Sequence, residues 1–297
     1  VGFLFPFIFT WIGISNIAPQ GVVPDSVIYS FYIGAAILIL CVIYTTVKVK
    51  EMPPAEYAEY HGITEEEKKE KINMVKLLVK APKAFWTVGL VQFFCWFAFM
   101  FMWTYTNGSV AANVFDAPTV ETVVNGVSKV VLDTKSIQYQ NAADWVGVLF
   151  AVQAIGSVLW AICIPLFKNR KQIYSLSLVL GGIGFISTYF VHNQYVLFIS
   201  FLLIGCAWAA MLALPFTILT NALSGGHMGT YLGLFNGTIC IPQIVAATLG
   251  GSILALFTPK GMLPPEINML VMAGVMLIIG AVCVYLIKET KGEEAKA

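Results

Sequence analysis

The residues best suited to chemistry are uncharged polar and aromatic side chains at helical spacing within one apolar run. This stripe consists of Gln92, Trp96, Trp103 and Asn107, at offsets of 0, 4, 11 and 15 residues. On an α-helix the four side chains lie within roughly 60° of one another. Indoles stack on sugar rings and amides bond to hydroxyls, so the stripe suits a saccharide. An interfacial anchor stays open as the alternative for Trp103 and Asn107.

Two further pairs of polar residues repeat a spacing of seven within apolar runs. One pair is Gln153 and Trp160, and the other is Asn236 and Gln243, with Pro242 beside the second amide. We expect the amides of Gln153, Asn236 and Gln243, like that of Gln92, to line a binding cavity. The alternative is that they form hydrogen bonds between helices, because an amide in lipid must find a partner.

Two stripes of small residues predict close approach between helices. They are formed by Gly205, Ala209 and Ala213 and by Gly229, Gly233 and Gly237. Small side chains at a spacing of four allow two helix backbones to pack closely. In a protein that alternates between two shapes, such faces are also places where helices pivot.

The sequence shows no pattern typical of an enzyme or of a metal or cofactor site. The three histidines are far apart, and the six cysteines are scattered among the apolar runs without a CxxC pair. Within the predicted spans there is no Asp, Glu, Lys, Arg or His, and Asp25 and Asp144 are expected at span mouths. A carrier driven by protons needs a titratable group in the membrane. We therefore expect the coupling acid to lie outside this chain.

Composition places the chain among membrane proteins that cross the bilayer several times. Hydrophobic residues make up 58% of it, charged residues 11%, and the mean hydropathy is +0.81. The net charge of +1 argues against nucleic acid as a partner. We predict an all-α bundle in the lipid bilayer, with an apolar run ending near residue 15 that is the end of a truncated helix. Complete spans are predicted at 26–47, 84–106, 144–166, 173–191, 195–222, 229–257 and 268–287.

A charged stretch at 48–83 divides the chain. It contains eight lysines and seven glutamates, so it must lie in water between two groups of spans. Its second half, 65–80, has an apolar face and predicts an amphipathic helix on the membrane surface. A solvated charged linker is the alternative.

The distribution of basic residues predicts the orientation. Alternate loops at 48–83, 167–172, 223–228 and 288–297 hold 14 of the 17 Lys and Arg residues. By the positive-inside rule these loops and the C-terminus are cytoplasmic. The long outer loop has a strand, an Asn-Gly turn and a strand between 121 and 132, which predicts a β-hairpin.

Three apolar runs of the chain have a distinctive sequence: QFFCWFAFMFMWTY (92–105), GCAWAAMLALPFTILTNAL (205–223) and MGTYLGLFNGTICIPQIVAA (228–247). In these runs the chain resembles the sucrose-type glycoside–proton symporters of the major facilitator superfamily. The family implies twelve helices in two bundles with a binding site between them. One departure is LFKNRK (166–171), which lacks the acid and the glycine of a signature common between the second and third helices of a half.

The resemblance implies a division of the chain. Residues 1–47 would be the last two helices of the N-terminal bundle, 48–83 the inter-bundle loop, 84–288 the C-terminal six-helix bundle and 289–297 a cytoplasmic tail. The expected partners are a sugar, protons, the bilayer and the missing N-terminal half of the same protein. We expect the inner membrane of a bacterium. A sodium-coupled glycoside carrier and a sugar sensor that does not transport remain alternatives.

Overall fold

A computed structural model of the chain describes residues 5–15, 23–50, 52–53, 56, 60, 74–124, 127–223 and 228–287. Apart from one hairpin, the regular structure in these residues is helical, which confirms the predicted all-α membrane bundle. The helices are α1 (Phe5–Trp11), α2 (Asp25–Lys48), α3 (Met74–Val79), α4 (Lys83–Asn113), α5 (Ile137–Cys163), α6 (Arg170–Ser187), α7 (Leu197–Ala222), α8 (Met228–Phe235), α9 (Gly237–Phe257) and α10 (Ile267–Cys283). The hairpin strands are β1 (Thr119–Val124) and β2 (Val127–Leu132).

Six stretches of the described chain are long and apolar enough to cross a membrane. They are α2, α4, α5 with the short 3₁₀ turn that follows it, α7, α8 together with α9, and α10 with its terminal 3₁₀ turn. The predicted span at 173–191 corresponds to α6, which ends at Ser187 and is not among the six. It has 18 residues and begins with Arg170 and Lys171, so its apolar length is shorter than predicted.

The core of the molecule lies between α4, α6, α7 and α10. Fully buried aromatic residues from three of these helices meet there, including Phe99, Tyr174, Phe185 and Phe201. The rings of Phe99 and Phe185 are 5.8 Å apart in an edge-on arrangement. By contrast, nearly all of α2 is exposed, and α9 contacts the rest of the bundle mainly through α4. The two sides of the molecule therefore differ strongly in packing.

Glycines allow α5 and α7 to cross closely. A Cβ built on Gly205 would lie 2.8 Å from the backbone nitrogen of Ser157, and one on Gly156 would lie 2.8 Å from the carbonyl oxygen of Leu202. The helices α6 and α10 meet in the same way through Gly182 and Gly274. Close packing at the Gly205 stripe is thus as predicted, although Ala213, unlike the buried Ala209, is exposed.

The glycine stripe of α8 is different, and the prediction that it packs closely is wrong for the described residues. Gly229 and Gly233 are exposed, and no atom lies within 4 Å of a Cβ built on either of them. Gly237 has only Ile241 of its own helix nearby, at 3.9 Å. The helix is held instead through Phe235, whose ring lies 5.7 Å from those of Phe85 and Phe216.

Two helices extend beyond the spans predicted from hydropathy, because polar residues are accommodated within them. In α4 the hydroxyls of Thr106 and Ser109 donate to the carbonyls of Met102 and Tyr105, at 2.6 and 2.7 Å. These bonds continue the helix to Asn113 through a stretch expected to be a loop.

The start of α5 corrects the predicted position of Asp144. The helix begins at Ile137, where the Ser136 hydroxyl accepts a hydrogen bond from the backbone N–H of Tyr139 at 3.3 Å. Asp144 therefore lies two turns inside a helix rather than at a span mouth. Asp25 is the first residue of α2, at the expected helix end.

The hairpin forms as predicted, and the amphipathic segment is described only at its end. Strands β1 and β2 pair antiparallel from Thr119–Leu132 to Val124–Val127. Of the predicted helix at 65–80, residues 65–73 lie outside the described residues, and Met74–Val79 is helical. The phenol of Tyr231 in α8 donates to the carbonyl of Leu77 at 3.2 Å, which joins this helix to the bundle.

Candidate substrate-binding site

Three indoles meet where α4 packs against α7. The Trp96 ring lies 5.9 Å from Trp208 and 6.4 Å from Trp103, and Trp103 lies 5.8 Å from Trp208. Phe99 supports the group at 4.9 Å from Trp208. Offset and edge-on contacts of this kind fix aromatic rings in place. We refer to Trp96, Trp103 and Trp208 as the indole cluster.

The indole cluster has both an accessible ring and an unsatisfied donor. Trp103 is 38% exposed, while Trp96 is buried. The indole nitrogen of Trp96 has no hydrogen-bond acceptor among the described residues. A buried donor without a partner costs about 1–3 kcal/mol. The cluster therefore offers one exposed aromatic face, that of Trp103, and one buried N–H group whose hydrogen-bonding capacity is unused in this conformation.

Gln92 does not belong to this surface. Its side chain is fully buried, and its Nε2 donates to the carbonyl of Met211 at 3.3 Å. Its Oε1 accepts from the phenol of Tyr174 at 3.3 Å. The amide thus links α4 to α7 and α6, which is the alternative that the sequence left open. We leave Gln92 out of the binding residues on this ground.

Asn107 lies one turn beyond Trp103 on α4. Its Oδ1 is buried and has no donor among the described residues. The side chain is hydrogen-bonded to Tyr139 of α5. Asn107 is therefore held by one neighbouring helix while its acceptor oxygen is unsatisfied, which an interfacial anchor does not require.

The pair on α5 serves packing between helices. The indole nitrogen of Trp160 donates to the hydroxyl of Ser177 on α6 at 2.8 Å. Gln153 is buried at the point where α5 crosses α7, beside Gly205. Neither residue is brought to the indole cluster by a described contact.

Asn236 and Gln243 lie on a span that is divided into two helices. Asn236 is exposed between α8 and α9, and its backbone N–H bonds to the carbonyls of both Leu232 and Gly233, at 3.3 and 3.2 Å. Discontinuous helices of this type are frequent at transporter binding sites. Gln243 is half-buried on α9. Along this helix it lies between Thr238 and Gly250, two residues that pack against α4.

Three residues of potential functional value were missed by the sequence interpretation. Trp208 stands in an apolar run, where a lone indole gives little signal, and Glu266 was assigned to a loop. Asp144 lies in a cavity of about 850 Å³ between α5 and the pair α1 and α2. Its carboxyl group is hydrogen-bonded to Thr10 of α1.

No group of three or more His, Cys, Asp or Glu side chains that could hold a metal ion occurs within the described part of the chain. Comparison with protein families gives one match. Residues 120–297 match the profile of the Major Facilitator Superfamily. A comparison with curated proteins gives no match.

Proposed function

Because this chain belongs to the Major Facilitator Superfamily and is a secondary transporter of the membrane, we propose that it imports a di- or oligosaccharide together with protons. A sucrose- or maltose-like glycoside is the substrate class that we favour. The observation that supports this choice is the indole cluster, with the exposed Trp103 ring and the unpaired Trp96 N–H. Sugar rings present C–H faces to aromatic rings and hydroxyl oxygens to N–H donors.

The proposed binding residues are the indole cluster with Asn107, Asn236 and Gln243. The two amides on the divided span have no side-chain hydrogen bond described within the bundle, unlike Gln92. Alternating access requires a second bundle against which this one can rock. The exposed faces of α8 and α9 are the surfaces that we propose for that contact, including the open glycines Gly229 and Gly233. A second helical bundle of the same superfamily fold is the proposed partner.

We also propose that the C-terminus is cytoplasmic, in a bacterial inner membrane. Lys135 precedes α5 and Lys171 follows it, so a helix of 27 residues separates the two lysines. At 1.5 Å per residue this is about 40 Å, enough to place them on opposite sides of a bilayer. Impermeant reagents should therefore label single cysteines at 135 and 171 from opposite sides, and labelling from the same side would contradict the orientation.

The substitution Trp96→Phe tests the saccharide site most directly. It keeps an aromatic ring but removes the N–H donor, so the hydrogen bond to a sugar oxygen is lost. A bond of this kind contributes about 0.5–1.5 kcal/mol, which predicts a roughly 2- to 10-fold increase in KM. The measurement is uptake of radiolabelled sucrose and maltose into vesicles, normalised to the amount of protein in the membrane.

Trp86→Phe is the matched control, because Trp86 is an exposed indole at the start of the same helix. An unchanged KM in Trp96→Phe, or an equal change in both variants, would contradict the proposed site. Uptake driven by a sodium gradient and not by a pH gradient would favour the sodium-coupled carrier. Saccharide binding without any flux would favour the sensor.

A further inference from the structure

A carboxyl group lies between helices at the end of the bundle that carries the hairpin. Glu266 precedes the first residue of α10, and its side chain lies directly on Gly108 of α4, in the place that a Cβ would occupy. Gly108 itself is buried. Glu266 is half-buried, so its carboxyl group packs against a neighbouring helix while part of the side chain remains in contact with solvent.

The surroundings of Glu266 contain hydroxyl and amide groups but no described cation. The phenols of Tyr105 on α4 and Tyr139 on α5 are both close enough to interact electrostatically with the carboxylate. The end of α6 contributes Thr188 and no charged residue to the small cavity under α10. Two lysines of this region, Lys129 and Lys260, line a separate groove between the hairpin and the end of α9, and Lys135 is exposed on the turn before α5.

We propose that Glu266 is a proton-binding site of this transporter, which takes up a proton from the solution at the hairpin end of the bundle and returns it there or to the transport pathway. The site consists of the Glu266 carboxyl group on Gly108, with Tyr139 and Asn107 beside it. From the sequence, no acidic residue was expected within the membrane spans of this chain. The inference does not depend on the nature of the transported substrate.

Hydrogen bonding supports the protonated form. A carboxylate only accepts hydrogen bonds, whereas the protonated acid is also a donor. Asn107 is adjacent to Gly108, and its buried Oδ1 has no donor among the described residues. Tyr139 links the two groups, since it is hydrogen-bonded to Asn107 and interacts with Glu266. A proton on Glu266 thus adds a donor to the part of the bundle in which the Asn107 Oδ1 has none among the described residues.

Partial burial also favours the protonated form of Glu266. Removal from water disfavours the charged form, and no opposing positive charge compensates, so the pKa of Glu266 is raised from 4.5 to about 7. A group with this pKa exchanges its proton near neutral pH. It can therefore change its charge between the two sides of a membrane that carries a pH gradient.

Labelling with dicyclohexylcarbodiimide tests the site in the intact protein. The reagent reacts with protonated carboxyl groups in apolar surroundings and leaves a stable N-acylurea that peptide mass spectrometry locates. We expect labelling of Glu266 to persist up to a half-point near pH 7. Glu121, an exposed carboxyl on β1 at the same end of the molecule, is the internal control for reagent reactivity across the pH series.

Equal pH profiles for Glu266 and Glu121 would overturn the proposal. Protection of Glu266 by sodium at constant pH would overturn it as well, because the site would then bind a metal cation. In Glu266→Gln the label must disappear from this peptide alone. If Glu266 titrates near pH 7 while saccharide uptake ignores the pH gradient, the proton site stands and the proposed coupling fails. The converse result, uptake that follows the pH gradient with Glu266 not titrating there, would overturn the site alone.

Discussion

The glycines of α7 and those of α8 form similar stripes in the sequence and lie in opposite surroundings. Gly205 meets the backbone of α5, whereas no described residue has an atom within 4 Å of a Cβ added to Gly229 or Gly233. The difference comes from the partner helix, because α5 offers Gly156 to Leu202 of α7 at the same crossing. A small-residue stripe thus permits close approach, and a second flat surface is needed to produce it.

Substitution of Gly205 by Ala should have the largest effect. The added methyl would lie 2.8 Å from the backbone nitrogen of Ser157, and backbone cannot rotate away as a side chain can. Overpacking of this kind typically costs about 1–3 kcal/mol. We expect a lower unfolding temperature in detergent, measured by loss of the monodisperse peak after heating. A Gly205→Ala protein as stable as the wild type would show that the crossing is looser than the structure indicates.

Gly108→Ala should have an intermediate effect, because the neighbour there is the end of a flexible side chain. The Glu266 carboxyl can move away from the new methyl group at the cost of its half-buried position against α4. Stability should decrease by less than in Gly205→Ala. The carbodiimide half-point of Glu266 should move to lower pH, because the displaced carboxyl group is better hydrated. An unchanged half-point would mean that Gly108 does not control the burial of this acid.

The pH dependence of the unfolding temperature provides a second test of Gly108→Ala. In the wild type the folded protein holds the Glu266 proton up to about pH 7, whereas the unfolded chain releases it near the ordinary value of 4.5. The native state therefore binds more protons in this window, and the contribution of Glu266 to stability falls as the pH rises through it. Gly108→Ala and Glu266→Gln should both make this dependence weaker.

Gly233→Ala should have the smallest effect on folding, with the opposite sign. A methyl group at this position meets open space, and Ala favours the helix over Gly by about 1 kcal/mol. We expect equal or slightly higher thermal stability than in the wild type. A decrease as large as in Gly205→Ala would show that the proposed second bundle packs on this face as tightly as α5 packs on α7. In that case uptake should also fall, as expected if the second bundle pivots there.

The fold class and most helix positions could be predicted from the sequence, because long apolar runs have few alternatives in a bilayer. The span expected at 195–222 is α7 at Leu197–Ala222, and the Asn-Gly hairpin also forms. Helix ends were less predictable. The hydropathy pattern predicted that α4 ends before Asn107. Hydropathy takes no account of the hydrogen bonds that Ser and Thr hydroxyls donate to backbone carbonyls of the same helix.

The candidate site was predictable only in part. The helical stripe correctly identified Trp96 and Trp103 as neighbours, but spacing along one helix says nothing of the partner that another helix supplies. Gln92 is paired with Tyr174, which lies 82 residues away in the sequence. Glu266 was missed for the same reason, because Gly108 is not near it in the chain. Contacts between distant segments decide whether a polar residue is free to bind.

The length of α4 has a consequence for the membrane around this protein. The helix has 31 residues, or about 46 Å at 1.5 Å per residue, against about 30 Å for a typical hydrocarbon core. Gly108 lies 25 residues after Lys83 and hence about 38 Å along the helix. If the hydrocarbon core is centred on this helix, it ends about 38 Å along it, and the carboxyl group on Gly108 then lies where hydrocarbon gives way to headgroups. Lipid chain length should consequently tune its hydration, so that a thicker bilayer strengthens its hold on the proton and a thinner one weakens it.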